Sequence, residues 1–166
     1  MTLAPHVKSR FLSMIKAVIF DCDGTIMNTE SGRPSLYPGM LELLQRLAEN
    51  EFELFIWTGR DAPSLNQFLR EFQIGKYFSD IRCAGDCASK PQPDGLVQML
   101  AHLKPHECVV IGDSWADMAG AKTFGAFGIA ALWNTQVSRA HLMEAGATTS
   151  AVKPPDCYDV ILKLGS

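Results

Sequence analysis

Three apolar runs in this chain end on a polar residue able to do chemistry. Ala17-Val18-Ile19-Phe20 runs into Asp21, Phe52-Glu53-Leu54-Phe55-Ile56-Trp57 into Thr58, and Cys108-Val109-Val110-Ile111 into Gly112 and Asp113. Short, nearly continuous runs rich in β-branched and aromatic residues predict strands buried on both faces. Residues 81–84, 128–132 and 148–152 form weaker runs of the same kind. Between the runs, apolar residues recur at helical spacing. Met40, Leu41, Leu43, Leu44 and Leu47 follow Pro38-Gly39; Leu65, Phe68, Leu69 and Phe72 form a second stripe; Leu96, Val97, Leu100 and Leu103 form a third. Residues 117–124, 140–145 and 156–164 add three further helical segments. This alternation predicts an α/β domain with a parallel sheet and right-handed crossovers. Ligands of such sheets bind beyond the carboxyl ends of the strands, so Asp21, Thr58 and Asp113 are expected on one rim.

Composition narrows the function classes. The 166 residues are 47% hydrophobic and 20% charged, the balance of one globular domain. No apolar run approaches the ~18 residues of a spanning helix. The formal net charge of -3 argues against a nucleic acid partner, which favours basic surfaces. An odd set of five cysteines in a domain able to build its own core does not read as a disulfide framework. Residues 1–13 contain no apolar stretch fit for a signal peptide, so a cytoplasmic location is expected. They are expected as an N-terminal extension, with residues 14–166 as the domain.

Asp21-Cys22-Asp23-Gly24-Thr25 is the sharpest local signal. Two carboxylates two apart at a strand end can serve a metal and a reacting group together, and Gly24 permits a sharp turn away from the sheet. Gly112-Asp113-Ser114-Trp115-Ala116-Asp117 sits at another strand end. Helix capping would account for Asp113 or Ser114 there, but leaves Asp117 unexplained. Mg²⁺ takes oxygen ligands, and Asp21, Asp23 and Asp113 supply them. Thr58-Gly59-Arg60 offers a hydroxyl and a backbone N–H to phosphate oxygens. Lys90, in a loop stiffened by Pro91 and Pro93, offers a positive charge.

Asp-x-Asp-Gly-Thr, Thr-Gly, Lys-Pro and Gly-Asp-x-x-x-Asp, in that order at strand ends, resemble the haloacid dehalogenase superfamily of phosphohydrolases. The stretch from Gly112 to Ala126 is similar to its phosphoglycolate-phosphatase-like branch. The resemblance implies a three-layer Rossmann-like fold with sheet order 5-4-1-2-3 and a Mg²⁺ cofactor. It implies Asp21 as the nucleophile that takes the phosphoryl group, and Asp23 as the acid that protonates the leaving oxygen and then the base that activates water. Asp23 would also touch the metal through its backbone carbonyl. Thr58 and Gly59 would hold the phosphoryl group and Lys90 would neutralise it. Asp113 would bind Mg²⁺ directly, and Asp117 directly or through water.

Larger relatives insert a cap domain that this chain has no room for, either between Asp23 and Pro38 or between Thr58 and Lys90. A capless member is expected, its site open or covered by a flap from Thr25 to Tyr37 or by a second subunit. The expected substrate is a small phosphorylated metabolite. An open site also admits a phosphoprotein, while a polynucleotide end fits the acidic charge poorly. A phosphotransferase or mutase, which must keep its intermediate dry, and an idle binding module on the same fold are the other readings. Trp115, on the metal-site loop, is either a packing residue or a substrate wall. Arg33 and Arg60 are candidate contacts for the remote part of the substrate. Trp57 reads as core. Cys83 with Cys87 and His102 with His106 lack zinc-finger spacing, and Pro105 breaks the helix face between the histidines.

Overall fold

The structure, a computed structural model, describes residues 14–166; the extension expected over 1–13 lies outside the described residues. The chain lays down β1 (Ala17–Phe20), a hairpin of β2 (Met27–Asn28) and β3 (Ser35–Leu36), α1 (Met40–Glu49), β4 (Glu53–Trp57), α2 (Ala62–Glu71) and β5 (Asp80–Arg82). There follow α3 (Asp94–Met99), β6 (Cys108–Gly112), α4 (Trp115–Phe124), β7 (Phe127–Ala131), α5 (Arg139–Ala145), β8 (Thr149–Ala151) and α6 (Asp156–Lys163). The main sheet runs β5-β4-β1-β6-β7-β8 and every neighbouring pair is parallel. Read as sheet strands alone, the five expected strands keep the expected order. β8 extends the edge beyond β7, and the small β2–β3 hairpin stands outside the sheet.

Alternation along the strands explains the three layers. Val18 and Phe20 of β1 join one apolar cluster, with Leu54 and Ile56 of β4, Val109 and Ile111 of β6, and the buried stripes of α1, α2 and α6. Ala17 and Ile19 join the other, with Phe55 and Trp57, Cys108 and Val110, and residues of α3, α4 and α5. Each buried Leu, Ile or Phe contributes about 1.5–3 kcal/mol, so both faces must stay covered. α1 shows how: Met40, Leu43, Leu44 and Leu47 are buried at helical spacing, and Gly39 turns the chain into the helix at φ 84°. The third stripe is shorter than its spacing suggested. α3 stops at Met99, and a tight turn brings Leu103 to Pro105, which starts a single 3-10 turn.

Between Asp23 and Pro38 the structure holds only the β2–β3 hairpin, and between Thr58 and Lys90 only α2, one 3-10 turn and β5. No separate cap domain is inserted at either place. Among the described residues, no helix is long and apolar enough to cross a membrane.

Candidate active site

The carboxyl ends of β1, β4 and β6 deliver the expected residues to one rim. Asp21 continues β1, its N–H donating to the Ile111 carbonyl at 3.0 Å. The chain then turns sharply, with the N–H groups of Thr25, Ile26 and Met27 all directed to the Cys22 carbonyl. Gly24 takes φ 79° there, and a Cβ on it would collide with the Asp113 carboxylate. A larger residue is therefore excluded on two counts. Thr58 follows β4 with its N–H on the Arg82 carbonyl at 2.9 Å. Asp113 follows β6, and Ser114 opens α4.

Asp21, Asp113 and Asp117 bring carboxylate oxygens within 4.8 Å of one another. Lys90 enters the same space, its Nζ 3.0 Å from Asp21 Oδ1 and 2.6 Å from Asp117 Oδ1. The trio of carboxylates has this one ammonium, paired with two of them, so the group carries excess negative charge. Such a donor set suits a hard divalent cation. Burial, then the Asp117 charge, lift the Asp21 carboxyl well above the ordinary carboxylate range, with Lys90 pulling the other way. Burial alone would lower the Lys90 ammonium, but Asp117 and Asp21 outweigh it and hold the pKa above its ordinary value. Lys90 also stands over the Trp57 ring, 4.8 Å from its centroid. Trp57 is core as expected, and it also backs the site's cation.

Capping was expected to leave Asp117 unexplained. Instead Ser114 Oγ accepts from the Asp117 N–H and Asp117 Oδ2 accepts from the Ser114 N–H, both at 3.1 Å, a reciprocal capping box. The residue that capping leaves free is Asp113. Arg60, a candidate substrate contact, holds Asp23, Nε to Oδ1 at 2.8 Å and Nη2 to Oδ2 at 3.2 Å, because the two side chains face each other across the strand ends. The Asp23 carboxylate consequently lies outside the metal-type cluster, which leaves its backbone carbonyl for the metal contact asked of it.

Other expected residues fall around this centre. Thr58, Gly59 and Lys90 share a cavity of about 190 Å³ with Cys83, Cys87 and Ser89. Thr58 Oγ1 accepts from the Arg60 N–H at 3.0 Å. Trp115 is half exposed beside Asp113. His102 pairs with Glu53 at 2.9 Å, on a different part of the molecule from Cys83 and Cys87. Two contributors were not foreseen. Asn134 Nδ2 donates to Asp113 Oδ2 at 2.8 Å, and Thr25 Oγ1 donates to Oδ1 at 3.3 Å. Trp133 Nε1 ties Thr25 down through its carbonyl at 2.9 Å. Asn134 follows β7 as Asp113 follows β6, and that shared position at a strand's carboxyl end was its available signal.

A Rossmann-like sheet with acidic residues and a lysine gathered at its carboxyl edge defines a class of α/β hydrolase. Sequence comparison makes the class specific: residues 31–131 match the haloacid dehalogenase-like hydrolase family, and the chain belongs to it. That span begins after Asp23 and includes Thr58, Lys90, Asp113 and Asp117. Among curated proteins, the chain is similar to phosphoglycolate phosphatase 1 of Pseudomonas aeruginosa, 30% identical over 94 residues, covering 54% of this chain and 34% of that protein. It is also similar to a phosphoglycolate phosphatase of Vibrio parahaemolyticus, 31% identical over 100 residues, covering 57% and 43%. The chain thus matches less than half the length of these relatives. Among solved structures, a haloacid dehalogenase-like protein of Agrobacterium tumefaciens shares the fold, with TM-score 0.79 and 18% identity over 92% of this chain and 100% of that one. A subfamily IA hydrolase of Geobacter sulfurreducens does so at TM-score 0.75 and 20% identity, over 90% and 97%.

Proposed function

We propose that the protein is a Mg²⁺-dependent phosphomonoesterase that works through an aspartyl-phosphate on Asp21. The observation that carries this reading is the meeting of Asp21, Asp113 and Asp117 within 4.8 Å, with Lys90 against two of them. Asp21 and Asp113, with the backbone carbonyl of Asp23, would hold the metal. Asp117 already gives one oxygen to Lys90 and the other to the Ser114 N–H, so its direct part is to fix Lys90. Bound there, Mg²⁺ would draw in the phosphate and offset the charge of the carboxylates.

Asp21 attacks phosphorus, and the bond from phosphorus to the ester oxygen breaks as Asp23 gives that oxygen its proton. Water then attacks the phosphorus of the aspartyl-phosphate while Asp23 takes a proton from it, releasing phosphate and restoring Asp21. Thr58, the Gly59 N–H and Lys90 hold and neutralise the transferring group, which is most of what phosphoryl transfer demands. Arg60 fixes the orientation of the Asp23 side chain through two hydrogen bonds. The capless rim leaves the site open to water, which supports hydrolysis over transfer to a second substrate.

Relatives named for phosphoglycolate favour a small phosphorylated metabolite as substrate. Phosphate release from a panel of phosphomonoesters tests the reading. Chelation should abolish release and Mg²⁺ should restore it; full activity in excess chelator overturns the metal assignment. Asp21→Asn keeps the shape and removes the attacking oxygen's charge, so turnover should fall by about three orders of magnitude or more. Near-normal turnover would remove Asp21 from the role.

A further inference from the structure

One aromatic side chain is conspicuously placed. Every other aromatic residue among the described residues is buried or half-buried, whereas Trp115 is 49% exposed. It stands in the first turn of α4, two residues beyond Asp113. With Asp113 it lines a shallow cavity of about 260 Å³, whose other walls include Gln136, Ser138 and His141. Asp113 belongs both to this cavity and to the carboxylate trio, so the cavity adjoins the reaction centre.

The chemistry of the walls selects a ligand. Val137 and Leu142 supply apolar surface and Trp115 a flat ring. The Gln136 amide and the His141 imidazole make no hydrogen bond within the described residues; only their backbone N–H groups are engaged, with Asn134 and Ser138. Free donors and acceptors beside an exposed indole suit a planar ring with a polar edge. The volume lies just below the ~300 Å³ lower end of ordinary small-molecule pockets, enough for one ring system and too little for a folded partner. The cavity by Thr58 and Lys90 is of different character and presents only the buried Trp57 as an aromatic.

We infer that this cavity receives the leaving group, and that the substrate is a phosphomonoester carrying a planar heteroaromatic ring, of the nucleoside monophosphate kind. The inference rests on the phosphomonoesterase reading and names its substrate class. Trp115 stacks on the ring while Gln136 and His141 meet its polar edge.

Steady-state phosphate release with Mg²⁺ tests it, comparing nucleoside monophosphates with glycerol phosphate for the wild type, Trp115→Ala, Trp115→Phe and His141→Ala. The wild type should favour the ring ester at least tenfold in kcat/KM. Trp115→Ala should reduce that preference about tenfold, mainly through KM, Trp115→Phe should keep most of it, and His141→Ala should lose a few-fold. A wild type without preference, or a preference that Trp115→Ala leaves intact, overturns the ring site while phosphate release still upholds the phosphatase. If no ester is hydrolysed, the phosphatase reading fails instead. Fluorescence titration with a nucleoside monophosphate then decides the ring site: quenching present in the wild type and lost in Trp115→Phe supports it, and no quenching overturns it.

Discussion

Two cations pair with carboxylates at the site, and they differ in what surrounds them. Lys90 lies between Asp21 and Asp117, with side-chain exposures of 12% for Lys90, 12% for Asp21 and none for Asp117. Arg60 holds Asp23 with exposures of 24% and 48%. The pairing is of one kind, but water competes for only one of them. An exposed pair has little net worth, and its members can exchange partners. A buried one cannot lose a member without stranding a charge. The Lys90 centre is therefore a fixed charge array, and the Arg60–Asp23 pair is the movable part of the machinery. That division suits the chemistry proposed, since Asp23 must gain and lose a proton within each cycle and Lys90 must not.

The largest effect should come from Lys90→Met, which keeps the apolar stem and removes the ammonium. Asp21 and Asp117 are left facing each other, and loss of one buried partner typically destabilises by about 3–5 kcal/mol. Denaturant unfolding in chelator should show a loss of that order at neutral pH. The loss should shrink in acid. The folded-state pKa of Asp21 is already raised by burial and by Asp117, so stability tied to its proton is present below the ordinary aspartate range and is lost as pH rises through the folded value. Removing Lys90 takes away a lowering influence and strengthens that trend. A loss independent of pH would show that the carboxylates are not what Lys90 neutralises. Turnover should fall at least a hundredfold in the same variant.

A smaller effect is expected from Ser114→Ala. The capping box loses the hydroxyl that accepts from the Asp117 N–H, while the Ser114 N–H still reaches Asp117 Oδ2. Losing such a cap costs about 1 kcal/mol, measurable by denaturant unfolding, and turnover should fall less than tenfold. A loss of activity as large as that of Lys90→Met would mean that Asp117 depends on its cap more than on its cation.

The sheet was legible because its signals are local. A run of apolar residues and the polar residue that ends it are neighbours in sequence, so Asp21, Thr58 and Asp113 could be placed on one rim without coordinates. The helical stripes of α1 and α2 were legible for the same reason, and the third stripe misled only where Leu100 and Leu103 follow the helix in a turn. What could not be read was pairing between side chains far apart. Arg60 meets Asp23 across 37 residues and Asn134 meets Asp113 across 21. No periodicity encodes either contact. The Ser114–Asp117 box is the instructive exception: its spacing is the ordinary signature of a helix start, but the acidic motif around it drew Asp117 into the metal reading alone. Asp117 in fact serves both, capping α4 with its backbone and one oxygen while the other oxygen fixes Lys90.

The smallest effect on stability, and the sharpest test of the contrast, belongs to Arg60→Gln. Both side chains of the pair are substantially exposed, so unfolding should change by no more than about 0.5–1 kcal/mol. Function should respond differently. Arg60 fixes the Asp23 carboxylate through two hydrogen bonds, and glutamine cannot reproduce that fork. Turnover of alkyl esters, whose leaving oxygen needs a proton, should fall about three- to tenfold. An aryl phosphate with a good leaving group should be affected less, since its oxygen departs without that help. Steady-state rates across esters of graded leaving-group basicity measure the difference as a steeper dependence in the variant. Arg60→Lys, which keeps the charge and loses the fork, should fall between. Equal losses on all esters would place the effect on the shared aspartyl-phosphate step, where Asp23 acts as the base, and not on protonation of the leaving oxygen. A stability loss approaching that of Lys90→Met would mean the exposed pair is as fixed as the buried one, and the division between them would not hold.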